Sequence, residues 1–127
     1  MGFLIVFFGA GVGGAFRHAV NLAMLRLGWV GFPAGTMMIN VVGSCLMGAI
    51  AEYFAMRSHL PQQWRLFLTT GILGGFTTFS AFSLEAALLY ERGRTGLALF
   101  YVVGSVILSI AALAATMALV RATVKPF

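Results

Sequence analysis

The sequence predicts an all-α membrane protein of four transmembrane helices, the third of them broken. Three observations carry this reading. First, 61% of the 127 residues are hydrophobic, 9% are charged and mean hydropathy is +0.99, more apolar surface than a water-soluble core of this size buries. Second, the eight basic and three acidic residues act as punctuation, leaving 1–16, 27–51, 66–84 and 95–120 without any charge. Third, one of these stretches differs from the rest: nine of the 19 residues 66–84 are Gly, Thr or Ser, and the run GGFTTFSAF lies within it.

A spanning helix needs about 20 mainly apolar residues, which places spans near 3–26, 34–56, 66–90 and 96–120 of a single integral membrane domain covering 1–127. The joints GWVGFP, RSHLPQQ and ERGRTG have the glycine, proline and polar chemistry of short loops. No cleavable signal peptide is expected, because the first apolar run continues into a full span.

In the first span, Gly9, Gly11 and Gly14 satisfy G-x-G-x-x-G after an apolar run. A dinucleotide site also needs a βαβ unit and an acidic residue about 20 positions on; the next acidic residue is Glu52 and no α/β pattern follows. Helix packing, or a thinned wall beside a pore, accounts for these glycines better. Gly9 with Gly13, Gly31 with Gly35 and Ser44 with Gly48 have small-xxx-small spacing, which serves packing within one chain or between two. Arg17 is the deepest base of the span; it either snorkels or draws anions into a vestibule.

The second span carries Thr36, Asn40 and Ser44 at i, i+4 and i+8, on one helix face. An unpaired amide facing lipid costs several kcal/mol, so Asn40 either bonds between helices or donates into a pathway. In the fourth span Tyr101, Ser105 and Ser109 repeat the spacing. The serines either bond their own i−4 carbonyls, the stronger reading, or face a pathway, while Tyr101 either lines a pathway or anchors at the interface. Ionisable groups inside spans are functional candidates by default; Glu85 and Glu52 are candidates that an arginine or water near the span ends can also satisfy.

The third span packs Gly71, Gly74, Gly75, Thr77 and Thr78 together, residues that weaken helix continuity. Unwound backbone at membrane depth survives only when buried in protein or lining a cavity. Its carbonyls then suit a cation and the amides of the resuming half-helix suit an anion. Phe79 and Phe82 share a face of that half, and ring edges are positive.

Cys45, alone in the second span, is a packing residue, and His18 and His59 lack the spacing of metal ligands. The net charge of +5 is scattered singly at helix ends and does not point to nucleic acid. With four spans, Arg57, Arg65, Arg121 and Lys125 fall on one side, and Arg26, Arg92 and Arg94, with Arg17 if it reaches outward, on the other. Near-balance gives the positive-inside rule little to act on, so insertion both ways up, and an antiparallel homodimer, are expected.

The motifs GAGVGGAFRH, GTMMINVVGSCLMG and GILGGFTTFSAFSLE resemble the signatures of the first, second and third helices of the Fluc/CrcB family of fluoride channels, and the resemblance covers essentially the whole chain. It implies passive, selective fluoride efflux through a dual-topology antiparallel homodimer with two pores in the bacterial inner membrane, protecting the cytoplasm. By the same resemblance Phe79 and Phe82 match the paired pore phenylalanines and Asn40 the pore asparagine. Ser80 falls on the polar track, with Thr36 among the pore positions. Tyr101 is similar to a pore-side tyrosine and Arg17 to the vestibule arginine. The carbonyls of Gly74 and Thr77 match positions that hold a central structural Na⁺. Family members usually read TTFSTF where this chain reads TTFSAF, so Ala81 removes a hydroxyl from the track; the fold is expected to tolerate this and the transport rate to change.

Two other classes compete. A proton-coupled multidrug exporter of this size needs an acidic residue in its first span, which this chain lacks. A non-transporting assembly subunit would use its hydroxyls as interhelical glue alone. An enzyme is not expected, since no nucleophile–base pair or metal cluster stands out.

Overall fold

A computed structural model describes residues 1–29 and 31–124 of the chain; Lys125, which enters the charge tally above, lies outside the described residues. The elements are α1 (Gly2–Arg26), α2 (Ala34–Met56), α3 (Gln62–Leu66), a π-helical segment (Phe67–Leu73), α4 (Gly74–Phe76), α5 (Phe79–Glu91) and α6 (Thr95–Thr123). They make four helices long and apolar enough to cross a membrane: Gly2–Arg26, Ala34–Met56, Gln62–Glu91 and Thr95–Thr123.

The loops close as their sequences suggest. After α1, Gly28 takes φ +88°; its N–H donates to Leu25 O and that of Trp29 to Met24 O. After α5, Gly93 takes φ +79°, with N–H bonds from Gly93 to Tyr90 O and from Arg94 to Leu89 O. Both are helix ends closed by a left-handed glycine, which has no Cβ to clash there. Pro33 and Pro61 stand at the N-caps of α2 and α3, where a missing N–H costs nothing.

The third crossing is composite. Thr77 (φ −79°, ψ 159°) and Thr78 (φ −153°, ψ 126°) are extended, and α5 begins at Phe79 with the Thr78 hydroxyl accepting from Ala81 N–H at 3.2 Å. Before that point the crossing lies against α1 with almost no side chain between them. A Cβ on Gly9 would stand 2.8 Å from Gly71 Cα, one on Gly75 would stand 2.8 Å from Ala10 Cα, and one on Gly13 would overlap the Ile72 carbonyl and come within 2.7 Å of Phe76 N. Gly9 and Gly13 therefore pack inside this chain. Gly11 meets nothing within 4 Å and lies with Gly14 in continuous helix, so the glycine motif forms no phosphate loop.

On the other side α2 packs along α6. Gly48 lies against the Leu113 carbonyl and Thr116 hydroxyl, and Thr116 Oγ1 donates to Cys45 O at 2.8 Å. Arg121 Nε meets Glu52 Oε1 at 2.8 Å, so Glu52 is held by an arginine near the helix ends. The core is small: Phe82, Leu89, Ala98 and Tyr101 cluster between α5 and α6, with Ile39, Phe54 and Leu73 also buried. Phe3, Phe7, Phe8, Leu108 and Ile110 face outward, which suits a hydrocarbon solvent that needs no apolar core to drive folding.

Candidate functional site

An open cleft of ≈ 350 Å³ lies where the extended threonines face α2 and α6. Asn40 and Ser44 line it from α2, Thr77 and Thr78 from the interruption, Phe79 and Phe82 from α5, and Ser105 and Ser109 from α6. Among the described residues, none that lines it is charged. Three polar features separate in sequence thus converge on one opening, with phenyl rings beside them. The Phe79 and Phe82 centroids are 5.7 Å apart. Phe82 is buried, whereas Phe79 is 78% exposed and projects outside its own chain.

Asn40 fixes the interruption. Its Nδ2–H donates to Thr78 O at 3.0 Å and its Oδ1 accepts from Thr78 N–H at 2.9 Å. Of the two roles left open by sequence, the structure shows the bond between helices, and at most the second amide hydrogen remains for the cleft. Thr78 N–H would otherwise close a helical turn onto Gly74 O, so the clamp takes that donor from the Gly74 carbonyl. Thr77 turns its N–H and its hydroxyl back to Leu73 O, both at 2.9 Å, and its methyl contacts Gly43 of α2, where a Cβ would collide with it. Arg17 Nε donates to Gly75 O at 3.2 Å. Arg17 thereby holds a carbonyl that the end of α4 leaves without a helical donor.

The other expected residues divide. Ser80 is exposed, with its Oγ 3.3 Å from that of Thr78. Thr36 is buried and donates to Glu85 Oε1 at 2.6 Å, which gives Glu85 a partner inside the chain and keeps Thr36 out of the cleft lining. Tyr101 is 0% exposed, packed between Phe82 (5.1 Å) and Phe32 (5.5 Å); it stands behind the Phe82 ring and is not among the residues that line the cleft. The Ser105 hydroxyl is buried and, among the described residues, without a hydrogen-bond partner. Of the two readings open to the serines of α6, Ser105 does not take the bond to its own helix: its Oγ is unused at the cleft wall. Thr78 is the residue sequence reasoning undervalued: its backbone, cap oxygen and hydroxyl pair all converge here.

Fold and site together define a multi-pass helical membrane protein with a cleft beside the extended Thr77 and Thr78, lined by hydroxyls, an amide and phenyl rings. The chain matches the family described as CrcB-like protein, Camphor Resistance (CrcB), over residues 4–117. It is 61% identical over 125 residues to the fluoride-specific ion channel FluC of Granulibacter bethesdensis, covering 98% of each chain. Against the fluoride-specific ion channel FluC of Methylobacterium nodulans it is 62% identical over 118 residues, covering 93% of this chain and 94% of the relative. Against that of Agrobacterium fabrum it is 49% identical over 113 residues, covering 89% and 90%. The chain belongs to the CrcB family. Its named relatives are bacterial ion channels and not enzymes, and with four spanning helices the chain is a multi-pass protein of the bacterial inner membrane.

Proposed function

We propose that this protein is a fluoride-selective channel that lets fluoride leave the cytoplasm passively, and that it works as an antiparallel homodimer with two pores. The observation that carries this is the uncharged cleft at Thr77–Thr78, where hydroxyls, amides and the Phe79 and Phe82 rings meet. Fluoride is small and strongly hydrated, so a narrow path must replace its water with donors. The unused Ser105 hydroxyl, the remaining Asn40 N–H, the Ser80 hydroxyl and positive ring edges are such donors. A cationic side chain along the path would hold the ion too tightly, since conduction needs binding that is favourable yet escapable. The exposed Phe79 supports a second copy, which would give that ring its second wall.

The broken third crossing belongs to the same reading: Thr77 and Thr78 are the discontinuity, and the α5 start is the resuming half-helix. A structural Na⁺ at the dimer centre fits the residues present. The Gly74 carbonyl has lost its helical donor to Asn40 and Gly74 is exposed, while Thr77 is extended. Main-chain oxygens freed in this way suit a hard cation, and one chain offers half a set that an inverted copy doubles. Bound there, Na⁺ would supply a fixed positive charge linking the two chains.

Purified protein in liposomes loaded with fluoride or chloride tests the function. Release of fluoride alone, without a proton gradient, is expected at an ion-selective electrode. Equal chloride release, or transport that needs a proton gradient, rejects the proposal.

A further inference from the structure

Hydroxyls on spanning helices ordinarily turn back onto their own carbonyls. Thr69, Thr77 and Thr123 do so, donating to Arg65 O, Leu73 O and Leu119 O at 2.7, 2.9 and 2.8 Å. Ser44 of α2 does not. It lines the cleft, half-buried, and among the described residues its hydroxyl makes no hydrogen bond. Ser109 of α6 is placed in the same way. Gly48 against the Leu113 carbonyl, and Cys45 O with the Thr116 hydroxyl, fix the register of the two helices. That register sets the stretch from Asn40 to Ser44 opposite the stretch from Ser105 to Ser109. Asn40 and Ser44 are one turn apart, about 6 Å along the axis, so Ser44 stands a turn beyond the clamp amide. Farther along, the cleft is walled by Met47, Ile110 and Leu113, and the next hydroxyl, that of Thr116, is engaged by Cys45 O and Leu113 O.

We propose that the Ser44 hydroxyl is a further fluoride donor, meeting the ion between the Asn40 amide and the apolar end of the cleft. This role rests on the channel function proposed above. In hydrocarbon an unpaired hydroxyl is unfavourable, and a serine in mid-helix has its own i−4 carbonyl within reach. A hydroxyl that leaves that carbonyl alone, beside a path, keeps its proton for an acceptor that passes. Fluoride is such an acceptor. Ser44 offers it a donor without a charge, so the ion is held and still released. Without this hydroxyl α2 has no side-chain donor between Asn40 and the apolar end, since only Gly43 and Met47 accompany them on the cleft wall.

Ser44→Ala removes the hydroxyl and keeps a strong helix former. In liposomes loaded over a range of fluoride concentrations, the half-saturating concentration for initial efflux should rise about ten-fold, the worth of one hydrogen bond to an anion. Ser44→Thr keeps the hydroxyl and should recover most of that loss, and the thermal midpoints of both variants in detergent should match that of the wild type. An unchanged half-saturating concentration in Ser44→Ala overturns the role of Ser44 and leaves the channel function standing. A shift that Ser44→Thr shares in full, or that comes with a lowered thermal midpoint in Ser44→Ala, assigns the effect to the packing of α2 on α6 and overturns the role too. Wild-type protein that releases no fluoride overturns the channel function, and the role of Ser44 with it.

Discussion

Asn40 and Thr78, on different spans, are joined by two hydrogen bonds of 3.0 and 2.9 Å, the side chain of one pairing with both backbone polar groups of the other. In hydrocarbon no water replaces a lost partner. Asn40→Ala therefore strands a donor and an acceptor, each costing about 1–3 kcal/mol, and lowers the population of the extended conformer about ten-fold or more. Asn40→Asp keeps the acceptor for Thr78 N–H but sets oxygen against Thr78 O, and is expected to fail similarly. Fluoride release should be lost in both. Amide exchange at Thr78, read by mass spectrometry or NMR, should speed up together with that loss. An Asn40→Ala protein with wild-type protection at Thr78 would show that the clamp does not hold the interruption.

That pairing marks the limit of what was legible in the chain. Four apolar stretches, the loop glycines at 28 and 93 and the unusual third crossing follow from local composition and from charge placement, which act over a few residues. Equal spacing puts Asn40 with Ser44 on one face of α2 and Ser105 with Ser109 on one face of α6, but it does not say that these faces and the Phe79 and Phe82 rings meet at one cleft. Partner choice did not follow. Whether Asn40 donates to an ion or to Thr78, and whether Thr36 faces a pathway or Glu85, depends on helix rotations of a few tens of degrees that small residues permit. Gly43 decides one of them, since only a residue without Cβ lets the Thr77 methyl approach α2.

Phe82 is buried against Tyr101 at 5.1 Å and stands 5.7 Å from Phe79. Phe82→Ile keeps a comparable apolar volume and removes the ring edge. A volume-conserving change of this sort costs less than about 1.5 kcal/mol of stability, so the protein should assemble as before. Fluoride efflux from liposomes should nevertheless be abolished, because the positive rim is gone. Undiminished efflux from Phe82→Ile protein would remove the ring from the conduction path.

Gly13 and Gly11, two residues apart on α1, make opposite predictions. A methyl on Gly13 overlaps the Ile72 carbonyl and meets Phe76 N at 2.7 Å, both main-chain atoms that cannot rotate away. Gly13→Ala should destabilise by about 1–3 kcal/mol, the range of overpacked cores, and it pushes α1 off the residues leading into the interruption. At Gly11 nothing lies within 4 Å, and Gly11→Ala should be neutral or stabilising by up to about 1 kcal/mol through helix propensity. Thermal unfolding of both in the same detergent measures the difference. Equal midpoints would mean that α1 and the third crossing are not in backbone contact.

Ala81 tests the polar track from the other direction, by adding a group. It is half-buried in the first turn of α5, its N–H donating to the Thr78 cap oxygen, while Ser80 Oγ lies 3.3 Å from the same oxygen. Ala81→Thr would place a third hydroxyl beside these two. Threonine costs at most about 0.7 kcal/mol of helix propensity there, too little to undo a span held by the Asn40 clamp. If the track conducts by passing fluoride between neutral donors, one more donor worth about 0.5–1 kcal/mol should raise the initial efflux rate about two- to five-fold. Chloride should stay excluded, because no charge has been added and the rings are unchanged. An Ala81→Thr protein of normal stability whose fluoride rate is unaltered or slower would mean that the ion takes its donors elsewhere, with Ser105 of the facing wall the next residue to change.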